Sequence, residues 1–149
     1  MARMTRPREL AAAGIVLALA LLTTACAPSG SSSEQNVAEV VSAVKAADDR
    51  VTDASAEEST DGLSSGWTID IVLRGPQPVT SDELRDLLLA ARHAGGHEPA
   101  HVDFFATDET GEVVDLAAAA DELGIRYSGI GSGIGATRDA IDDALGAGG

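Results

Sequence analysis

Cysteine, aromatic residues and positive charge are all scarce in this sequence. Its 149 residues include one cysteine, 3% aromatics with a single tryptophan, and ten lysines and arginines against 24 aspartates and glutamates. A lone cysteine excludes an intramolecular disulfide even in an oxidising compartment, so the core must hold the fold together. Scarce positive charge argues against nucleic acid as a partner and leaves no basic patch for anionic lipid head groups. Scarce aromatics argue against a large apolar cavity for a ligand. A long membrane-spanning run is also missing: the apolar stretch Ala11 to Leu22 falls short of the about 20 residues needed to cross hydrocarbon.

The amino-terminal end does have a clear layout. Arg3, Arg6 and Arg8 precede the apolar stretch, which runs into Leu22-Thr23-Thr24-Ala25-Cys26. A basic segment, a short apolar segment and small residues form the tripartite pattern of an export signal. With its only cysteine at the end of that pattern, the chain resembles the bacterial lipoprotein class, although Thr23 stands where that class usually has leucine. The resemblance implies that residues 1–25 are a signal peptide and that the Cys26 thiol receives a diacylglycerol. Cleavage just before Cys26 would make it the first mature residue, whose amino group can also be acylated. Residues 1–25 hold three of the ten basic residues and one of the 24 acidic ones. The remainder then carries seven against 23, a formal charge of −16. Attachment to a membrane would rest on the acyl chains, at about 0.8 kcal/mol per buried methylene; one chain holds marginally and two or three hold stably.

Residues 26–35 comprise the lipidated cysteine and a small, polar stretch, Ala27 to Gln35, expected to be a flexible tether. Residues 36–149 are long enough for one domain and too short for two. Asn36 and Glu39 suggest a capping box, with Val37, Val40, Val41 and Val44 at helical spacing behind it. Arg50 to Ser59 alternates weakly, Asp61-Gly62 supplies a turn, and Trp67, Ile69, Ile71 and Leu73 fall on one side of a strand. Thr80-Ser81-Asp82-Glu83 is a second capping box, opening a helix with Leu84, Leu87, Leu88 and Ala91 on one face and stopped by Gly95-Gly96. Val102, Phe104 and Ala106 alternate as a strand, Thr110-Gly111 turns, and Glu112 to Asp115 is expected to begin a partner strand. A helix from about Leu116 to Leu123 follows, then a short strand within Ile125 to Ile130. A Gly-rich loop is expected at residues 130–136, and a last helix from Thr137 to Leu145 with Ile141 and Leu145 as its buried pair. The order predicts a single small α+β domain: an antiparallel or mixed sheet with helices packed on a face, in a ferredoxin-like arrangement with an added amino-terminal helix and strand.

His97-Glu98-Pro99-Ala100-His101 matches the H-E-x-x-H pattern of zinc peptidases. That chemistry needs both imidazoles on one helix, four residues apart, converging on one ion beside the glutamate. Pro99 disrupts such a helix and Gly95-Gly96 has already ended the one before, so the stretch reads as a loop leading into a strand. His93, His97 and His101 are weak candidates for a loop metal site, with Glu112 and Glu122 as possible further ligands. Gly131-Ser132-Gly133-Ile134-Gly135-Ala136 fits a relaxed dinucleotide pattern but lacks the following strand and acidic residue. The pairs Asp48-Asp49, Glu57-Glu58, Asp108-Glu109 and Asp142-Asp143 show no calcium-loop spacing and read as surface. No Gly-x-Ser-x-Gly elbow is present, and a lipidated Cys26 is no nucleophile. Together these features predict a lipid-anchored extracytoplasmic protein of the cell envelope, facing outward from the cell membrane. It would act as a non-enzymatic interaction or accessory module with no cofactor and an envelope protein as partner. A small-ligand or lipid-binding lipoprotein is the alternative, and a zinc-dependent peptidase a more distant one.

Overall fold

Every second residue from Trp67 to Leu73 is large and apolar, the period of a strand with one buried face. In the computed structural model, which describes residues 32–146, Trp67, Ile69, Ile71 and Leu73 are all buried. They belong to β2 (Ser64–Leu73), paired antiparallel with β1 (Val51–Asp61). The expected hairpin is therefore present, and Gly62 turns it at φ 63°, a conformation glycine adopts without a Cβ penalty. The expected signal peptide (residues 1–25), Cys26 and residues 27–31 of the expected tether lie outside the described residues.

Helix α1 (Ser32–Ala47) buries Val40 and Val44. It begins before Asn36, so Ser32 to Gln35 belong to its opening and not to the tether. The Ser33 hydroxyl donates to Glu58 Oε2 on β1 at 2.8 Å, giving the early turn a partner. Helix α2 (Ser81–His93) opens on the expected capping box: Thr80 Oγ1 accepts from the Glu83 amide at 3.3 Å, and Glu83 Oε2 accepts from the Thr80 amide at 2.7 Å. Its face of Leu84, Leu87, Leu88 and Ala91 is buried, as the spacing predicts.

Strand β3 (His101–Asp108) runs parallel to β2 and buries Val102, Phe104 and Ala106. The chain then makes α3 (Ala117–Leu123), closed by Gly124 at φ 69°, followed by β4 (Tyr127–Ile130), β5 (Gly133–Thr137) and α4 (Arg138–Leu145). The five strands form one mixed sheet in the order β1-β2-β3-β5-β4. Val40 and Val44 of α1, the α2 leucines, Ala119 and Ala120 of α3 and Ile141 of α4 share one core with the alternate residues of the sheet. The result is a single small α+β domain.

The sheet differs from the ferredoxin-like order. There the two strands of each β-α-β unit are separated by another strand, whereas β2 and β3 are direct neighbours. The partner strand expected at Glu112 to Asp115 shrinks to one bridge between Thr107 and Val113. Asp108 explains the tight return: its Oδ1 accepts from the Thr110 amide at 2.8 Å, the Thr110 hydroxyl at 2.6 Å and the Glu112 amide at 3.0 Å. Asp115 ends the extended stretch by accepting from the Ala117 amide at 2.9 Å as α3 begins.

The Gly-rich segment also departs from expectation, forming a strand. A Cβ on Gly133 would overlap the Phe104 carbonyl and the Phe105 ring, so glycine there allows β5 to lie close against β3. Between the glycines, Ile134 and Ala136 point into the core. Helix α4 is capped by Thr137, whose Oγ1 accepts from the Ala140 amide at 3.3 Å. Ile141 is buried as expected, whereas Leu145 is only half-buried and Ala140 takes the second inner place.

Candidate functional site

The H-E-x-x-H stretch is the loop that Pro99 and the glycines imply. Helix α2 ends at His93, Gly95 and Gly96 adopt φ of 84° and 72°, and β3 opens at His101. Gly95 is also a packing requirement, since a Cβ there would press into Trp67 and Val40. His97 rests on Trp67, with ring centroids 5.3 Å apart, and its Nε2 lies 3.6 Å from Glu58 Oε1. His101 instead places Nε2 3.0 Å from Ser59 Oγ, with its ring over Gly66. Glu58 and Ser59 are consecutive residues of β1, opposite Trp67 and Gly66 respectively. Alternation along the strand puts them on opposite sides of the sheet. The two imidazoles of the motif are thereby separated by the sheet itself.

The remaining members of the motif are placed elsewhere. Glu98 lies 3.8 Å from Arg92 and 3.6 Å from Arg138. His93 shares a groove of about 320 Å³ on the helical side with Arg92, Gly96, His97 and Glu98. Glu112 belongs to the turn after β3, and Glu122 to α3. Among the described residues, no group of three or more His, Cys, Asp or Glu is placed to hold a metal ion. A serine hydroxyl beside an imidazole also raises the question of a nucleophile. Here, however, the ring packs against the Gly66 backbone, as an aromatic side chain covers a strand glycine, and that packing accounts for the contact.

Arg92 is a residue that sequence reasoning missed. It is 5% exposed on α2, where its Nη2 donates to Asp142 Oδ2 of α4 at 3.1 Å and its Nη1 faces Asp142 Oδ1. Asp142 is thus the half-buried partner of a buried arginine, unlike the surface role expected of the Asp142-Asp143 pair. Together with Glu98, the guanidinium joins α2, α4 and the 94–100 loop. The available signal was spacing: Leu84, Leu88 and Arg92 follow one another at four-residue intervals, which puts the arginine on the inward face.

Among the described residues, no helix packs on the other side of the sheet. Its outward residues are Ser55, Glu57 and Ser59 on β1, Gly66, Thr68, Asp70 and Val72 on β2, and His101, Asp103, Phe105 and Thr107 on β3. Register aligns Glu57 with Thr68 and Asp103, and Ser55 with Asp70 and Phe105. Next to Asp103 is Gly135, and next to Gly135 is Ser128 of β4. With glycine at its outward positions 133 and 135, β5 leaves a groove of about 270 Å³ walled by His101, Asp103, Ser128, Ile130 and Thr137. Burial raises the pKa of Asp103 above the usual aspartate value, and the nearby His101 opposes this in part. A second groove of about 380 Å³, beside Val113, Leu116 and Tyr127, lies between α3 and the β4–β5 hairpin. These volumes lie just below and just inside the lower end of the roughly 300–1,000 Å³ typical of small-molecule sites.

Sequence reasoning identified the histidines and Trp67. It did not identify the groove, because Gly133 and Gly135 read as a loop until their strand is seen. No family model matches the chain, and comparison with curated proteins and with solved structures gives no significant match.

Proposed function

We propose that this chain is a lipid-anchored extracytoplasmic protein of the bacterial cell envelope whose domain serves as a non-enzymatic interaction or accessory module. The carrying observation is the amino-terminal pattern of Arg3, Arg6 and Arg8, the apolar run to Leu22, and small residues leading to the only cysteine, Cys26. The dispersal of His97, Glu98 and His101 over two sides of the sheet supports reading the H-E-x-x-H match as coincidental. A domain with seven basic against 23 acidic residues favours no binding to anionic lipid, so the acyl chains would supply the attachment.

Mass spectrometry of the protein recovered from bacterial membranes tests this. The wild type is expected to begin at Cys26 and to carry a diacylglyceryl thioether there. Cys26→Ala, lacking the thiol, is expected to retain residues 1–25 and to incorporate no labelled fatty acid. Equal labelling of the two proteins overturns the proposal.

A further inference from the structure

The open side of the sheet has an unbalanced charge. Glu57, Asp70 and Asp103 project from it, and the five strands contain no lysine or arginine. Of the seven basic residues among the described residues, five form ion pairs: Lys45 with Asp53, Arg50 with Glu83, Arg92 with Asp142, Arg126 with Asp143 and Arg138 with Glu98; Arg74, just past the end of β2, and Arg85 on α2 are exposed. Along this face Glu57 and Asp103 stand two strands apart, about 10 Å by the usual strand spacing. Asp70 lies diagonally between them. Carboxylates at such separations repel, and only His101 faces them from the strands.

Apolar surface sits beside this charge. Phe105 covers Gly133, and Ile130 reaches over Gly135 to the neighbourhood of Asp103. The groove over Gly135 therefore has the aliphatic Ile130 and the His101 ring in its walls, with the partly buried Asp103 carboxylate alongside. That combination fits a lysine or arginine side chain, whose methylene stem packs on apolar surface while its charged head seeks an anion.

We propose that the open face of the sheet docks a basic segment of a protein partner, with one lysine or arginine side chain seated in the groove against Asp103. The proposal rests on the interaction-module reading and gives that partner a chemistry. Glu57 and Asp70 supply further attachment points at strand spacing, which favours an extended cationic segment over a single small amine. A second copy of this chain is disfavoured, because it would set carboxylates against carboxylates. The acidity of the whole domain draws a basic partner inward from solution, an attraction that falls as salt rises.

The test titrates the full-length, isotope-labelled protein, in neutral detergent micelles, with a nonapeptide alternating lysine and alanine. A control peptide carries glutamine in place of lysine. Amide shifts are expected on the open face, in residues 55–59, 66–72, 101–105 and 128–135. Asp103→Asn is expected to weaken binding about tenfold, and Glu57→Gln and Asp70→Asn about two- to threefold each. Asp86→Asn and Glu122→Gln, on exposed helical surface, are expected to change it by less than about twofold. A cooperative melting transition no lower than a few degrees below the wild type's shows that each variant is folded. Shifts on the helical side, equal binding of the glutamine peptide, wild-type affinity in Asp103→Asn, or shifts from self-association without peptide would each overturn the docking proposal. The mass at Cys26 in the same preparation separates the two readings. Docking by a protein with unmodified Cys26 removes the anchor alone, and a lipidated protein that fails to bind removes the docking alone.

Discussion

Phe104 and Phe105 are consecutive and chemically identical, yet one is wholly buried beneath the helices and the other is half-exposed on the open side of the sheet. The same division separates Ile69 from Asp70 and Trp67 from Thr68. Burial here is decided by the layer a residue faces, and the pleat of β2 and β3 sorts them. The helical side is closed by a contiguous apolar core, which makes it a source of stability. The open side keeps apolar and charged groups within reach of solvent, which makes it available for contact.

The largest effect expected from breaking this division comes from Ile69→Asp. It places an unpaired carboxylate in the core at a cost of several kcal/mol, a large part of the about 5–15 kcal/mol that holds a typical domain together. Loss of the cooperative thermal transition is the expected result. Thr68→Asp, one residue away on the open side, is expected to keep that transition with a melting temperature only a few degrees lower. Similar melting by both variants would contradict the two-sided assignment.

An intermediate effect is expected from Gly133→Ala. Its Cβ would meet the Phe104 carbonyl and the Phe105 ring, forcing β5 away from β3 at a cost of about 1–3 kcal/mol. That should lower Tm by roughly 5–15 °C. An unchanged Tm would mean that β5 does not approach β3 as closely as described.

The smallest effect belongs to Asp103→Asn and has a definite pH dependence. Because burial raises the folded-state pKa of Asp103 above its unfolded value, the folded protein holds that proton more tightly. Stability from this group is fully present below the unfolded pKa and declines as pH rises through the raised folded value. The asparagine variant avoids that decline, so its Tm is expected to exceed the wild type's slightly at pH 7 and to match it at acid pH. Glu83 and Asp108 act in the opposite sense. Burial pushes Glu83 upward, but the Thr80 amide and Arg50 outweigh it, so its pKa is lowered. The Thr110 hydroxyl leads the contacts that lower Asp108. Their contributions are present above the unfolded values and are lost as pH falls through the folded ones. They cancel when variant and wild type are compared at each pH, leaving Asp103 as the difference.

Strong local signals were legible in the sequence. The alternation from Trp67 to Leu73, the Thr80 capping box with its leucine face, and the break at Gly95, Gly96 and Pro99 each appear where physical chemistry places them. Strand β5 was not legible, because glycine is a weak strand former and its role depends on Phe104 and Phe105 across the sheet. The extent of α1 depended on Glu58, distant in sequence, meeting Ser33. The site was harder still: the H-E-x-x-H match drew attention to His97 and His101 together, although strand alternation assigns them to opposite sides of the sheet. Asp103 carried no pattern of its own and gained meaning only from Gly135 and Ile130 beside it.

The contact between Ser33 and Glu58 sets a length scale. It fastens the opening of α1 to β1, so those residues are not free to serve as spare tether. If Cys26 carries the lipid, six residue steps separate it from Ser32, and a fully extended chain spans at most about 3.3–3.6 Å per residue, roughly 20 Å in all. A domain leashed this closely searches only a thin layer next to the bilayer. Its partner would have to present a basic segment at the membrane surface, where confinement of both molecules raises their effective concentration and allows a weak contact to be occupied.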